Sequence, residues 1–225
     1  MKAGTLSQAA VIPGEEPAAP RSSKGARTRA RLLQAAKETF EEDGFLEARI
    51  TDIAERANLS HGSFYHYFDS KEQIFREVAD AVEEKLAAPL ADVIFSPTFA
   101  DVHPQERLRE AMSAYLGIYR SEARFVGLIE QVSRYDPHVN ALVLRRHQMY
   151  ADQVAASISG LQSRGVADQF LNPQIVASAI GALTARFAEL WLVQDAVDCA
   201  FDDGVDQLAR MLANVLGIQP EVPQY

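Results

Sequence analysis

Apolar positions in this chain recur at three- and four-residue intervals, the spacing of helices that bury one face, so the pattern predicts an all-α fold. Leu32, Leu33, Ala36 and Phe40 mark a first helix over 28–42, which Asp43-Gly44 ends with Gly44 as C-terminal cap. Thr51 is placed to cap a second helix that buries Ile53, Ala54 and Ala57. Asn58 tolerates the left-handed conformation and makes a tight turn with Ala57 and Leu59. Ser60 caps a third helix, in which Phe64 and Phe68 lie four apart and share a buried face. Ser70 and Gln73 then form a capping box for a fourth helix over 71–87, carrying Ile74, Phe75, Val78, Ala81 and Val82.

From about Pro89 onward no run alternates like a strand, while helical spacing continues over about 104–120, 122–134, 137–164, 173–194 and 203–217. Pro104, Pro137 and Pro173 stand at the first turns of three of these, and Gly165 and Gly217 follow the ends of two. The organisation expected is a disordered tail over 1–23, a small helical unit over 24–87, a helical bundle over 88–219 and a short tail over 220–225. The first tail contains Pro13, Gly14, Pro17 and Pro20 and little that could pack.

The chemistry concentrates in residues 50–68. With Phe64 and Phe68 inward, the third helix leaves His61, Gly62, Ser63, Tyr65 and His66 facing out. Gly62 and Ser63 allow close approach to a DNA groove, and hydroxyl and imidazole groups supply donors and acceptors to phosphates and base edges. Arg49, just before the second helix, and Lys71, in the first turn of the fourth, are further phosphate candidates.

Charge changes the picture locally. The chain totals −9, yet residues 21–37 carry six basic and no acidic side chains, Arg27 among them, leaving −15 for the remainder. A basic arm on an acidic body suits a protein that holds phosphates at one end only.

Thr51-Asp52-Ile53-Ala54, then Ser60-His61-Gly62-Ser63-Phe64-Tyr65-His66-Tyr67-Phe68, then Ser70-Lys71-Glu72 resemble the helix-turn-helix DNA-binding domain of the tetracycline-repressor (TetR) family. The resemblance runs from about Arg27 to about Leu86 and has Asn58 where the family often has glycine. It implies that Thr51, Tyr65, His66 and Lys71 contact the phosphate backbone, with His61 and Ser63 nearest the bases; Ser60 and Gly62 are counted in the same DNA-binding set. It also implies a small-molecule cavity in the bundle, without naming its lining.

From spacing, the candidate lining residues are Met112, Tyr115 and Tyr119 on one helix and Phe125, Ile129 and Glu130 on the next, joined by His147, Phe187 and Trp191. The sparse acids and many rings point to a largely hydrophobic ligand. Ala177, Gly181 and Ala185 make the 173–194 helix rich in small residues. With Leu208, Leu212 and Val215 it is expected to form a four-helix interface with a second copy.

Other classes are set aside. One cysteine, Cys199, supports neither a disulfide framework nor a thiolate metal site, and the five scattered histidines form no ligand array. There is no phosphate loop or nucleophile elbow, and neither a metal nor a cofactor is expected. Arg186 and Glu189 interrupt the best apolar run, so no membrane span is expected. The expectation is a cytoplasmic, homodimeric, non-enzymatic repressor that binds a pseudo-palindromic double-stranded operator and leaves it when a small effector binds. The competing reading is a helical enzyme or carrier that uses the apolar cavity and lacks DNA affinity.

Overall fold

The structure, a computed structural model, describes residues 23–95 and 102–219, with backbone alone over 88–95. Eight α-helices and no strand occur among the described residues: α1 (Ser23–Glu47), α2 (Ile50–Arg56), α3 (His61–Phe64), α4 (Lys71–Phe95), α5 (Pro104–Ser133), α6 (Pro137–Ser163), α7 (Pro173–Ala188) and α8 (Phe201–Leu216). A π-helical turn, Glu189–Val193, continues α7. The all-α expectation holds. The expected tails over 1–22 and 220–225 lie outside the described residues, whereas Ser23 already belongs to α1.

α1, α2, α3 and the start of α4 form a small head. Leu32, Ala36 and Phe40 are buried on α1, Ile53 and Ala54 on α2, and Phe64 and Phe68 beyond the turn. Asn58 takes φ 55°, the left-handed geometry expected of it, and its N–H donates to the Glu55 carbonyl at 2.8 Å. Gly44 also has positive φ (77°), but it kinks α1 rather than ending it, and one more turn runs on to Glu47.

Thr51 does not cap α2. Arg49 occupies the cap position with no side-chain bond, and the Thr51 hydroxyl donates to the neighbouring Asp52 carboxylate at 3.1 Å. Ser60 does cap α3, accepting from the Ser63 N–H at 3.2 Å. The Ser70 hydroxyl accepts from the Gln73 N–H at 3.1 Å, while the Gln73 side chain reaches the Asp69 N–H at 2.5 Å. This is the capping box, displaced by one residue at its return bond.

The helices expected over 104–120 and 122–134 are one continuous helix, α5. No glycine or proline interrupts it at the join, and Ser121 settles its hydroxyl on the Ile118 carbonyl at 2.8 Å. α5 packs against α4, α8 and α1, making it the axis of the molecule. Its Phe125 enters the head, where its ring lies 5.3 Å from that of Phe75, which in turn meets Phe40 at 5.1 Å. Head and bundle therefore share one apolar core, and the expected boundary at 87/88 falls inside α4.

The segment Pro173–Val193 corrects a further expectation. It is long and apolar enough to cross a membrane by length and composition, with mean hydropathy 1.4, because Arg186 and Glu189 both fall near its end. Here α7 packs on α6, and much of its apolar surface stays outside the core.

Candidate DNA interface and bundle cavity

The turn after α2 fixes what α3 presents. With Phe64 and Phe68 locked in the core, His61, Gly62, Tyr65 and His66 are exposed and Ser63 is half-buried. The rings of His61 and Tyr65 meet edge to face at 5.2 Å, and the Ser60 and Ser63 hydroxyls lie 2.8 Å apart. Arg27, Arg49 and Thr51 are exposed as well. A β-carbon added to Gly62 would meet nothing within 4 Å, so its outer side is open for close approach.

Much of the basic arm has internal work. Arg29 pairs with Glu77 and lies over the Phe68 ring, and Arg31 donates to the Ala57 carbonyl at the end of α2. Lys37 pairs with Glu41 at 2.6 Å and Glu122 at 3.2 Å. Lys24, Arg27 and Arg49 remain on the surface, and Arg21 lies outside the described residues.

Lys71 is the main correction. Its ammonium donates to the carbonyls of Phe45 (2.7 Å), Leu46 (3.0 Å) and Ala48 (2.9 Å) and lies over the Phe45 ring. All three of its donors are committed to closing the end of α1, so none is left for a phosphate.

The bundle encloses a cavity of about 390 Å³ running along α5, with walls from α4, α6, α7 and α8. Of the expected lining, Met112, Tyr115, Tyr119, Glu130 and His147 are present. Phe125 and Ile129 are not, because they face the core, fully buried. Phe187 and Trp191 are also absent: Trp191 stacks on Phe201 at 5.7 Å between ring centres and meets the tilted ring of Phe187 at 5.4 Å.

Three of the residues expected at a dimer interface, Ala177, Leu208 and Leu212, are buried within the single chain. Ala177 and Leu212 line the cavity, as do Gly181 and Ala185, and Gly181 lies against the His147 ring. The small residues of α7 thus make room for the cavity beside α6. What remains outward is Ala185 and Val215, with Ile175 and Leu183 on α7 and Met211 on α8.

Among the lining residues not anticipated are Glu83, Leu86, Arg146 and Thr184, and Tyr150 lines it as well. Glu83 carried a legible signal. It sits at the same helical face as Ala79, Val82 and Leu86, an acid at a core position. Burial, then the charge of Glu130, push its carboxyl up to about 7. Glu130 is raised too, by burial and then by Glu189, and burial pushes the phenols of Tyr115, Tyr119 and Tyr150 upward.

Comparison with known proteins bears on both halves. The sequence profile of bacterial regulatory proteins, tetR family, matches residues 32–78. The transcriptional regulator UidR of Escherichia coli K12 is 26% identical over 157 residues, covering 70% of this chain and 78% of its own. TcmR of Streptomyces glaucescens is 28% identical over 201 residues, 84% of this chain and 85% of its own. The crystal structure of a tetR-family transcriptional regulator from Streptomyces coelicolor superposes with a TM-score of 0.67 at 20% identity, covering 84% of this chain and 80% of that one.

Proposed function

We propose that this chain, which belongs to the tetR family of bacterial regulatory proteins and is a DNA-binding transcriptional regulator rather than an enzyme, is a homodimeric repressor that a small, largely hydrophobic effector releases from its operator. One observation carries the ligand-responsive part. α4 begins in the head, where Lys71 closes α1, and reaches the cavity, which Glu83 and Leu86 line. Fifteen residues separate Lys71 from Leu86, about 22 Å of rigid helix. A ligand that changes the packing at one end of such a rod moves the other.

The operator is double-stranded and pseudo-palindromic in this reading, and the compartment is the cytoplasm, where that DNA lies. His61, Gly62 and Ser63 approach the bases. Arg27, Arg49, Thr51, Tyr65 and His66 hold the phosphates. The second copy covers the apolar surface left by α7 and α8, centred on Leu183, Ala185 and Val215, instead of the buried Leu208 and Leu212. Effector binding favours a conformer with α4 displaced, so the two heads no longer match half-sites about one helical turn apart.

Selection of a binding site from random DNA, followed by titration, tests this. Two chains are expected per selected site. Arg49→Ala should weaken binding to all sequences and reduce the salt slope by about 1. Binding indifferent to sequence, or one chain per site, would remove the operator model.

A further inference from the structure

The cavity wall is electrically unbalanced at one end. Glu83 from α4 and Glu130 from α5 both line it, and the carboxyl of neither has a hydrogen bond or ion pair to a described residue. Of the nearby cations, Arg146 holds Asp80 at 3.2 Å and Arg186 holds Glu189 at 2.5 Å, while Arg134 on the exposed end of α5 acts on Glu130 only through space. Two hydroxyls on the same wall, those of Tyr150 and Thr184, are buried without partners. Two carboxyls that repel one another in a poorly solvated wall are costly, and one positive charge between them relieves both the repulsion and the lost hydration.

We propose that the effector is an organic cation with an apolar body, its positive head held between Glu83 and Glu130 against Tyr115, Tyr119 and Tyr150. This deepens the reading of the cavity as the effector site and rests on it. Phenol rings favour a cation over their faces. The body extends along α5 past Met112 and Leu108, and Arg107 and Arg164 at the far end disfavour the reverse orientation.

The arrangement couples binding to protons. The groups facing Glu83 are Glu130 and Tyr115 from α5, Arg146 and Tyr150 from α6, and Asp80 on its own helix, with Tyr119 and His147 on the same wall. With its carboxyl at about 7, Glu83 is partly protonated near neutrality, and a bound cation favours the ionised form. Cation binding therefore releases a proton and tightens as pH rises from 6 to 8.

Calorimetric titration of the full chain with decyltrimethylammonium, decanol and decanoate, each below its micelle concentration, tests the head-group preference on one chain length. The ammonium is expected to bind at least about tenfold more tightly than the other two, a difference of ~1.4 kcal/mol, and to tighten with pH. Glu83→Gln and Glu130→Gln should each lose about tenfold for the ammonium and abolish or flatten the pH dependence, while decanol affinity, which also reports an intact cavity, holds within about twofold. Equal or tighter decanoate or decanol binding, no ammonium binding, or unchanged ammonium affinity in both variants overturns the proposal. Operator affinity is read in the same samples. Ammonium binding through the two carboxyls with no operator release upholds the site and removes the induction reading. Operator release by decanol or decanoate without cation preference does the opposite.

Discussion

The Lys71 ammonium donates to the Phe45 carbonyl at 2.7 Å while lying 4.9 Å above the centre of the same residue's ring. With the Leu46 and Ala48 carbonyls also bound, one cation satisfies the orphaned acceptors left where α1 ends past its Gly44 kink. The same side chain fixes α4 to α1. Lys71→Met should therefore cost about 1.5–3 kcal/mol of stability in urea denaturation, the range for hydrogen bonds to a charged group. The salt slope of DNA binding should stay unchanged for the folded fraction. A slope lower by about 1 with stability intact would return Lys71 to the phosphates.

Gly62 separates the needs of the fold from those of the interface. Its surroundings are open and its backbone is helical, so a side chain there is no burden on folding. Gly62→Ala should leave stability unchanged or raise it by up to about 1 kcal/mol, since alanine suits a helix better. Gly62→Leu should leave the melting curve near that of the parent and lower operator affinity by at least about tenfold, or ~1.4 kcal/mol. Full operator affinity in the leucine variant would mean that this side of α3 does not approach DNA.

The head was legible because each of its signals is local. Asn58, Ser60, Ser70 and the Phe64–Phe68 pair act within four residues of themselves. Lys71 was misread because its partners lie 23 to 26 residues away, and a lysine next to a recognition helix looks the same whether it holds a phosphate or a carbonyl. The cavity divides along the same line. Met112, Tyr115 and Tyr119 fall on one face of one helix, but Phe125 turns out to serve the head, and only the path of α5 between head and bundle decides that. Burial of Leu208 and Leu212 within one chain likewise depends on α8 packing against α5, which spacing along α8 cannot reveal.

Glu122 ties three helices together. It is buried on α5 and pairs with Lys37 of α1, 3.2 Å away, and with Lys85 of α4. Burial would raise its carboxyl, but the bonds from Lys85 and Lys37 outweigh it and hold it below the ordinary carboxylate value. A depressed carboxyl contributes stability that is fully present above the unfolded value, near 4.5, and is lost as pH falls through the lower folded one. Glu122→Gln should cost about 1–3 kcal/mol near neutrality by removing the carboxylate that Lys85 pairs with and one of the two that Lys37 pairs with. It should also flatten the fall in stability below about pH 4.5. Urea midpoints measured from pH 3.5 to 7 check both. Parallel curves for parent and variant would mean that the three-helix junction is held by its apolar contacts alone.

The Trp191 indole rests on the backbone of Gly204, so closely that a β-carbon there would come within 2.3 Å of the ring. Phe187 and Phe201 both pack on the indole, at 5.4 and 5.7 Å between ring centres, and the Arg120 guanidinium lies over the Phe201 ring. Trp191 is buried and bulky, so an added methyl at that distance must shift the ring, the π-helical turn or the first turn of α8. Gly204→Ala should therefore destabilise the chain by about 1–3 kcal/mol, the usual cost of overpacking, even though alanine favours a helix. Trp191 is the single tryptophan, so its emission reports the shift directly, and a red-shifted spectrum is expected as the ring leaves its slot. An unchanged spectrum with raised stability would mean that the ring and α8 are less tightly engaged than their contact indicates.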